Sequence, residues 1–258
     1  MPCVILISGR GTNLQAILRA VAEDGLPLEI RAVISNRPEA AGLDVARSNG
    51  LPHYALDHAQ FTDREAFDRE LQNLIDRHAS VVPGVLPLAT LVRPCTSVAP
   101  GVLPLATLVR PCTSQLVILA GFMRILSGPF VRHYRGRLIN IHPSLLPAFP
   151  GLNTHQRALD AGVTVHGATV HFVTEAVDGG PVIIQARVPV LPQDTTETLA
   201  ARVLAEEHRI YPQALRWFAE GRLHLVTQQN NDVVVLDGKP LGPSGCQTED
   251  NPHGTLLA

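Results

Sequence analysis

The chain has 258 residues, 45% of them hydrophobic and 17% charged, with a formal net charge of −2. This composition excludes a disordered chain, and the balanced charge excludes the broad basic field that nucleic-acid binding requires. No run approaches the ~18–20 consecutive apolar residues of a membrane span, so the expected partners are small molecules, with neither nucleic acid nor membrane.

Residues 3–7, CVILI, form an apolar run too short for a secretory leader and bounded by Ser8-Gly9-Arg10-Gly11, which reads as a buried strand. A helical stripe follows from about Asn13, with Leu14, Ile17, Leu18 and Val21 in phase. Residues 29–35 are a second strand, and residues 39–50 a helix stopped by Gly50. Phe67, Leu71, Leu74, Ile75 and His78 mark a helix over 63–78, and residues 115–122 and 137–142 are two further strands. Alternation of strand and helix predicts an α/β fold with a Rossmann-like, mostly parallel sheet covered by helices on both faces.

The second half changes pattern. Residues 165–173 and 181–190 flank a turn containing Asp178-Gly179-Gly180, which predicts an antiparallel hairpin. A long helix is expected from about Thr196 to Glu220, and residues 241–258, rich in turn formers, are expected to be a loose tail. The four cysteines, Cys3, Cys95, Cys112 and Cys246, form no CxxC pair, the usage of a reducing compartment, so a cytoplasmic location is expected. Residues 81–97 and 98–114 are copies of one 17-residue segment that differ only at Val82 and Ala99. Two copies are too few for a solenoid, and they stand between a helix and a strand, where a connection is normally ~2–6 residues. They read as an insertion.

Four places carry possible chemistry. Residues 8–13, SGRGTN, join a strand to a helix, where free N–H groups and the helix dipole favour an anion. Leu14 replaces the third glycine of a GxGxxG, and Ser35-Asn36 replaces the acid that would hold a nicotinamide ribose, so a phosphate monoester suits this loop better than a dinucleotide. The alternative is a tight turn with no ligand. Asn140 and His142 end a strand two residues apart and so project the same way, before a loop stiffened by Pro143, Pro147 and Pro150. An amide and an imidazole so placed can donate to a developing oxyanion, or can merely cap and fill a strand edge. Asp178 is ordinary turn chemistry unless the hairpin folds over that strand end, where its carboxylate could support a charged His142. Glu207 lies on the inward stripe of Leu199, Val203, Ile210 and Ala214, a costly place for a carboxylate without a partner. His155, His166 and His171 lack metal-ligand spacing, so no metal is expected.

Taken together, LISGRGTNLQAIL, RAVISNR, LAGFMRILS, LINIHPSLLPAFPGLNTHQRAL, HGATVHFVTEAVDGGPVI and EEHRIYP resemble the phosphoribosylglycinamide formyltransferase family of purine synthesis, over about residues 3–80 and 115–240. The resemblance implies a formyltransferase domain over 1–240, with a nucleotide-binding half at 1–139 and a catalytic and folate-binding half at 140–240. It implies that Asn140, His142 and Asp178 are catalytic, and that Gly11, Thr12 and Asn13 hold a 5′-phosphate. Glu207 would contact the glycinamide ribonucleotide, and Met123, Arg124, Ile125 and Leu126 would take the pterin. The formyl donor would be 10-formyltetrahydrofolate, with no metal, and the oligomeric state is open between monomer and homodimer. Asn153 stands where the family commonly has histidine, so no role is carried to that position. The rival readings are a formyltetrahydrofolate hydrolase, expected to carry an N-terminal regulatory domain, a tRNA formyltransferase, expected to carry a basic C-terminal domain, and an inactive phosphate- or folate-binding module.

Overall fold

The computed structural model describes residues 1–78, 115–228 and 231–247. The duplicated segment, residues 81–114, lies outside the described residues.

The elements run β1 (Pro2–Ile7), α1 (Thr12–Glu23), β2 (Glu29–Ser35), α2 (Gly42–Ser48), β3 (His53–Ala55), α3 (Arg64–Arg77), β4 (Leu116–Leu119), α4 (Gly128–His133) and β5 (Leu138–His142). Then come α5 (Thr154–Asp160), β6 (Val165–Phe172), β7 (Val182–Pro189), α6 (Thr196–Ala219), β8 (Leu223–Gln228), β9 (Asn231–Leu236), β10 (Lys239–Pro240) and β11 (Cys246–Gln247). Eight strands form one sheet in the order β11-β7-β6-β5-β4-β1-β2-β3. From β3 to β5 all neighbours are parallel, and β6 is antiparallel to both β5 and β7.

Strand parity divides the core. Cys3, Ile5, Ile7, Ile139 and Ile141 pack under α1 and α6, where Leu14, Ile17, Leu199, Val203 and Ile210 are fully buried. Val4, Leu6, Val117, Leu119 and Leu138 pack on the other face against Phe67, Leu71 and Ile75 of α3 and Phe130 of α4. Each such side chain contributes ~1.5–3 kcal/mol by leaving water, which explains why β1 and β4 are apolar on both faces. The helix boundaries follow local chemistry. Asp63 caps α3 by accepting from Ala66 N at 2.7 Å, and Thr195 and Thr198 form a reciprocal cap on α6.

Two parts of the C-terminal region differ from expectation. Residues 223–240 supply a second, antiparallel sheet in the order β10-β9-β8, with Leu223 and Val234 in the core. Residues 241–247 are not a loose tail, because β11 pairs in parallel with β7, Cys246 opposite Ile184 and Gln247 opposite Gln185. An edge strand of two residues carries no periodicity, and its pairing partner lies 62 residues earlier. Residues 248–258 lie outside the described residues. Among the described residues no helix is long and apolar enough to cross a membrane.

Candidate active site

In the main sheet the chain runs from β1 outward to β2 and β3, then returns to β4 on the other side of β1. The carboxyl ends of β1 and β4 therefore form the crevice where ligands bind in open α/β sheets. There the backbone N–H of Ser8 donates to Gly121 O at 3.1 Å.

The glycine loop leaves β1 and turns into α1 at Gly11, whose φ is +76°. A Cβ there would sit 2.8 Å from Gly42 Cα, so both the conformation and the packing require glycine. The first helical turn of α1 contains no acidic side chain, and its leading N–H groups have no partner within the helix. They border a cavity of about 630 Å³ lined by residues 8–13, Arg37, Met123, Ile141, Pro143, His155 and the start of α6. Glu207 reaches this cavity from α6 and is only 8% exposed. Asn13 Nδ2 donates to Glu207 Oε2 at 2.7 Å, and Asn13 Oδ1 is buried with no partner among the described residues. Burial raises the Glu207 pKa, and the Asn13 hydrogen bond opposes the rise.

Asn140 and His142 have the parity of Leu138 and so emerge on the α3/α4 side of the sheet, while Ile141 between them faces the cavity side. The hairpin after β6 folds over this strand end. Asp178 Oδ2 lies 3.4 Å from His142 Nδ1 and accepts the backbone N–H of Gly151 at 2.8 Å. Asp178 has φ +51°, a conformation that Asp and Asn tolerate best among residues with side chains. Gly180 is required for another reason, since a Cβ there would lie 1.7 Å from Phe172 O. The turn is therefore shaped around the carboxylate.

His142 Nε2 donates to Phe149 O at 3.1 Å. A carbonyl stands on one side of the ring and a carboxylate on the other, so each ring nitrogen faces an acceptor. The following loop is held by hydrogen bonds as well as by its prolines. Thr169 Oγ1 accepts Leu146 N at 3.0 Å and donates to Ser144 O at 2.7 Å, and Gln185 Nε2 donates to Leu146 O at 2.8 Å. Gln247 of β11 in turn donates to Gln185 Oε1 at 3.2 Å, which joins the C-terminal strand to this network.

His171, which the sequence raised only as a candidate metal ligand, is a further member of the site. It sits opposite Asn140 in the β5–β6 pair. Its Nδ1–H donates to Phe172 O at 2.9 Å, so its Nε2 is the bare nitrogen that accepts Asn140 Nδ2 at 3.2 Å. Burial lowers its pKa to about 4. His155 and His166 instead lie edge to face at 5.3 Å, and burial lowers the pKa of both. Among the described residues no group of three or more His, Cys, Asp or Glu side chains could hold a metal ion.

The segment after β4 divides. Met123 and Ile125 are 65% and 57% exposed, whereas Leu126 is buried in the core and the Arg124 guanidinium lies 4.5 Å over the Phe67 ring. Leu152 and Val177 are also exposed, and they adjoin Gly151 and Asp178 in the chain. Apolar side chains exposed in this way suit the face of a flat ring. Periodicity could not have found Leu152 or Val177, because neither lies on a regular element. Asn153 has φ +56° at the start of α5 and makes no side-chain cap.

A family model described as formyl transferase matches residues 1–88 and 104–215. Phosphoribosylglycinamide formyltransferase of Escherichia coli (strain K12) is 44% identical over 250 residues, which span 97% of this chain and 100% of that protein. The solved structure of phosphoribosylglycinamide formyltransferase from Coxiella burnetii is 47% identical, with a TM-score of 0.77 over 96% of this chain and 98% of that one. The structure of a formyltetrahydrofolate deformylase from Pseudomonas syringae is 26% identical, with a TM-score of 0.69 over 91% of this chain and 65% of that one. The chain belongs to the formyl transferase family.

Proposed function

We propose that this formyl transferase moves a formyl group from 10-formyltetrahydrofolate to the amine of 5′-phosphoribosylglycinamide, in purine biosynthesis. The observation that carries the reading is the placement of Asp178 at 3.4 Å from His142, with Asn140 on the same face of the strand and the glycine-loop cavity reaching the neighbouring Ile141 and Pro143. The loop N–H groups of Gly11, Thr12 and Asn13 suit a phosphate dianion. Glu207 and the unpartnered Asn13 Oδ1 suit the hydroxyl and amide donors of a ribonucleotide. Met123 and Ile125, with Leu152 and Val177, suit the pterin ring, and Leu126 supports the segment from the core.

In this reading one Asn140 amide hydrogen stays on His171 and the other points at the formyl oxygen as negative charge develops there. A donor of this kind is worth ~10²–10³ in rate. His142 serves as the second donor, which requires the formyl oxygen to take or share the N–H that now meets Phe149 O. Asp178 holds the His142 ring and accepts the proton lost by the attacking amine, directly or through water, for return to the folate nitrogen. Binding both substrates at the carboxyl ends of neighbouring strands supplies proximity.

The test is folate turnover by the purified protein with and without the ribonucleotide. Turnover that needs the ribonucleotide is the expected result. Equal turnover without it would mean hydrolysis, and none in either case an inactive binding module.

A further inference from the structure

Ser8 directly follows β1, and continuing the strand's alternation gives it the parity of Val4 and Leu6, on the α3/α4 side of the sheet. It is 4% exposed. Its hydroxyl accepts the backbone N–H of Met123 at 2.7 Å and donates to Asn36 Oδ1 at 2.5 Å. A hydroxyl has one hydrogen, so the direction of both bonds is determined. Asn36, at the end of β2 and 3% exposed, is held in turn by the His58 ring, whose Nδ1–H donates to Asn36 O at 2.7 Å. The chain Asn36–Ser8–Met123 thus crosses the carboxyl ends of three neighbouring strands, and Ser8 and Met123 both line the cavity.

The geometry points to Ser8 as a positioning residue that seats the folate-side segment at the carboxyl end of β1, beside the phosphate loop. The inference rests on the folate reading of Met123 and its neighbours. The hydroxyl touches nothing in the phosphate loop itself. That loop is held independently by the Gly42 N–H to Gly9 O bond at 2.9 Å and by the packing of Gly11 on Gly42. Losing the hydroxyl leaves the Met123 N–H without its acceptor, and an unpaired, partly buried donor lets the segment drift. The pterin side should suffer and the phosphate side should not.

The experiment compares the full chain with Ser8→Ala, Ser8→Thr and Asn36→Ala. Steady-state kinetics are run in both substrates, and calorimetry uses an inert folate analogue with and without glycinamide ribonucleotide. For Ser8→Ala the expected result is a rise of about tenfold in the folate KM, a matching loss of analogue affinity, an unchanged ribonucleotide KM and a Tm near the parent's. Ser8→Thr should restore most of the affinity, and Asn36→Ala should move the folate KM in the same direction by less. An unchanged folate KM, or equal losses for both substrates, overturns the positioning role of Ser8. If the parent turns over folate without the ribonucleotide, the transferase reading fails, while the analogue affinities still decide the role of Ser8.

Discussion

Asn140 donates its side-chain amide to the bare Nε2 of His171 across the β5–β6 pair at 3.2 Å, and that bond decides where its second amide hydrogen points. His171→Phe keeps the volume and removes the acceptor. The expected outcome is a fall of about tenfold in kcat with both KM values near the parent's. A change confined to KM would mean that His171 shapes binding instead.

The same histidine gives a pH prediction. Burial holds its folded pKa at about 4, against 6.5 for the free ring. As pH falls through 6.5 the unfolded chain takes up a proton that the folded chain refuses until about 4, so stability is lost over that window. His155 and His166 are lowered in the same direction and add to the loss. Urea unfolding of His171→Phe at pH 7.5 and pH 5 should therefore show a smaller difference than the parent does.

His142→Ala and Asp178→Asn should each lower kcat by about two orders of magnitude or more. The double variant should be little worse than either alone, because the two side chains act as one unit. Near-parental turnover in either single variant, with the fold confirmed by circular dichroism, would remove them from the mechanism.

Gly11→Val places a β-branched residue at φ +76° with its Cβ 2.8 Å from Gly42 Cα. Ribonucleotide affinity should drop by at least an order of magnitude, given strain of ~1–3 kcal/mol. The affinity of a folate analogue, measured by calorimetry, should stay within about twofold. An equal loss of both would show that the loop supports the whole site rather than the phosphate.

Glu207→Gln separates stability from function. Burial raises the Glu207 pKa above its ordinary value of 4.5, so the charged form is the costly one. Any stability advantage of the acid is full below 4.5 and is lost as pH rises through the folded pKa. At pH 7 to 8 the amide should melt higher than the parent, the gap should close towards pH 4, and ribonucleotide KM should rise. A variant that melts lower at pH 8 would show that the carboxylate is stabilised by more than Asn13.

Deleting residues 81–114 should leave formyl transfer within a few-fold of the parent. α3 ends at Arg77 and β4 begins at Leu116, and the amino end of β4 lies across the sheet from the carboxyl-end site. The family match also passes from residue 88 to residue 104. Each doubling of loop length costs only about 0.6 kcal/mol, so closure entropy gives no reason for a loss. A hundredfold fall in a folded deletion variant would place the segment in the active assembly.

The alternation of apolar runs and helical stripes, and the parity that puts Asn140 beside His142, were present in the amino-acid order alone. So was the anomaly of Glu207 among Leu199, Val203 and Ile210, because periods of 2 and 3.6 are properties of local backbone geometry. The motifs around Gly11, His142 and Asp178 identified the chemistry through family resemblance. Tertiary structure decided the pairings. Glu207 finds Asn13 across 194 residues, Ser8 finds Met123 across 115, and Asn140 finds His171 across 31. It also decided that Leu126 faces the core while Met123 faces the cavity, and that Cys246 and Gln247 close the sheet edge beside β7. Such contacts depend on strand order and register, which are settled by the packing of the whole sheet between two helical layers and leave no periodic trace in either partner's neighbourhood.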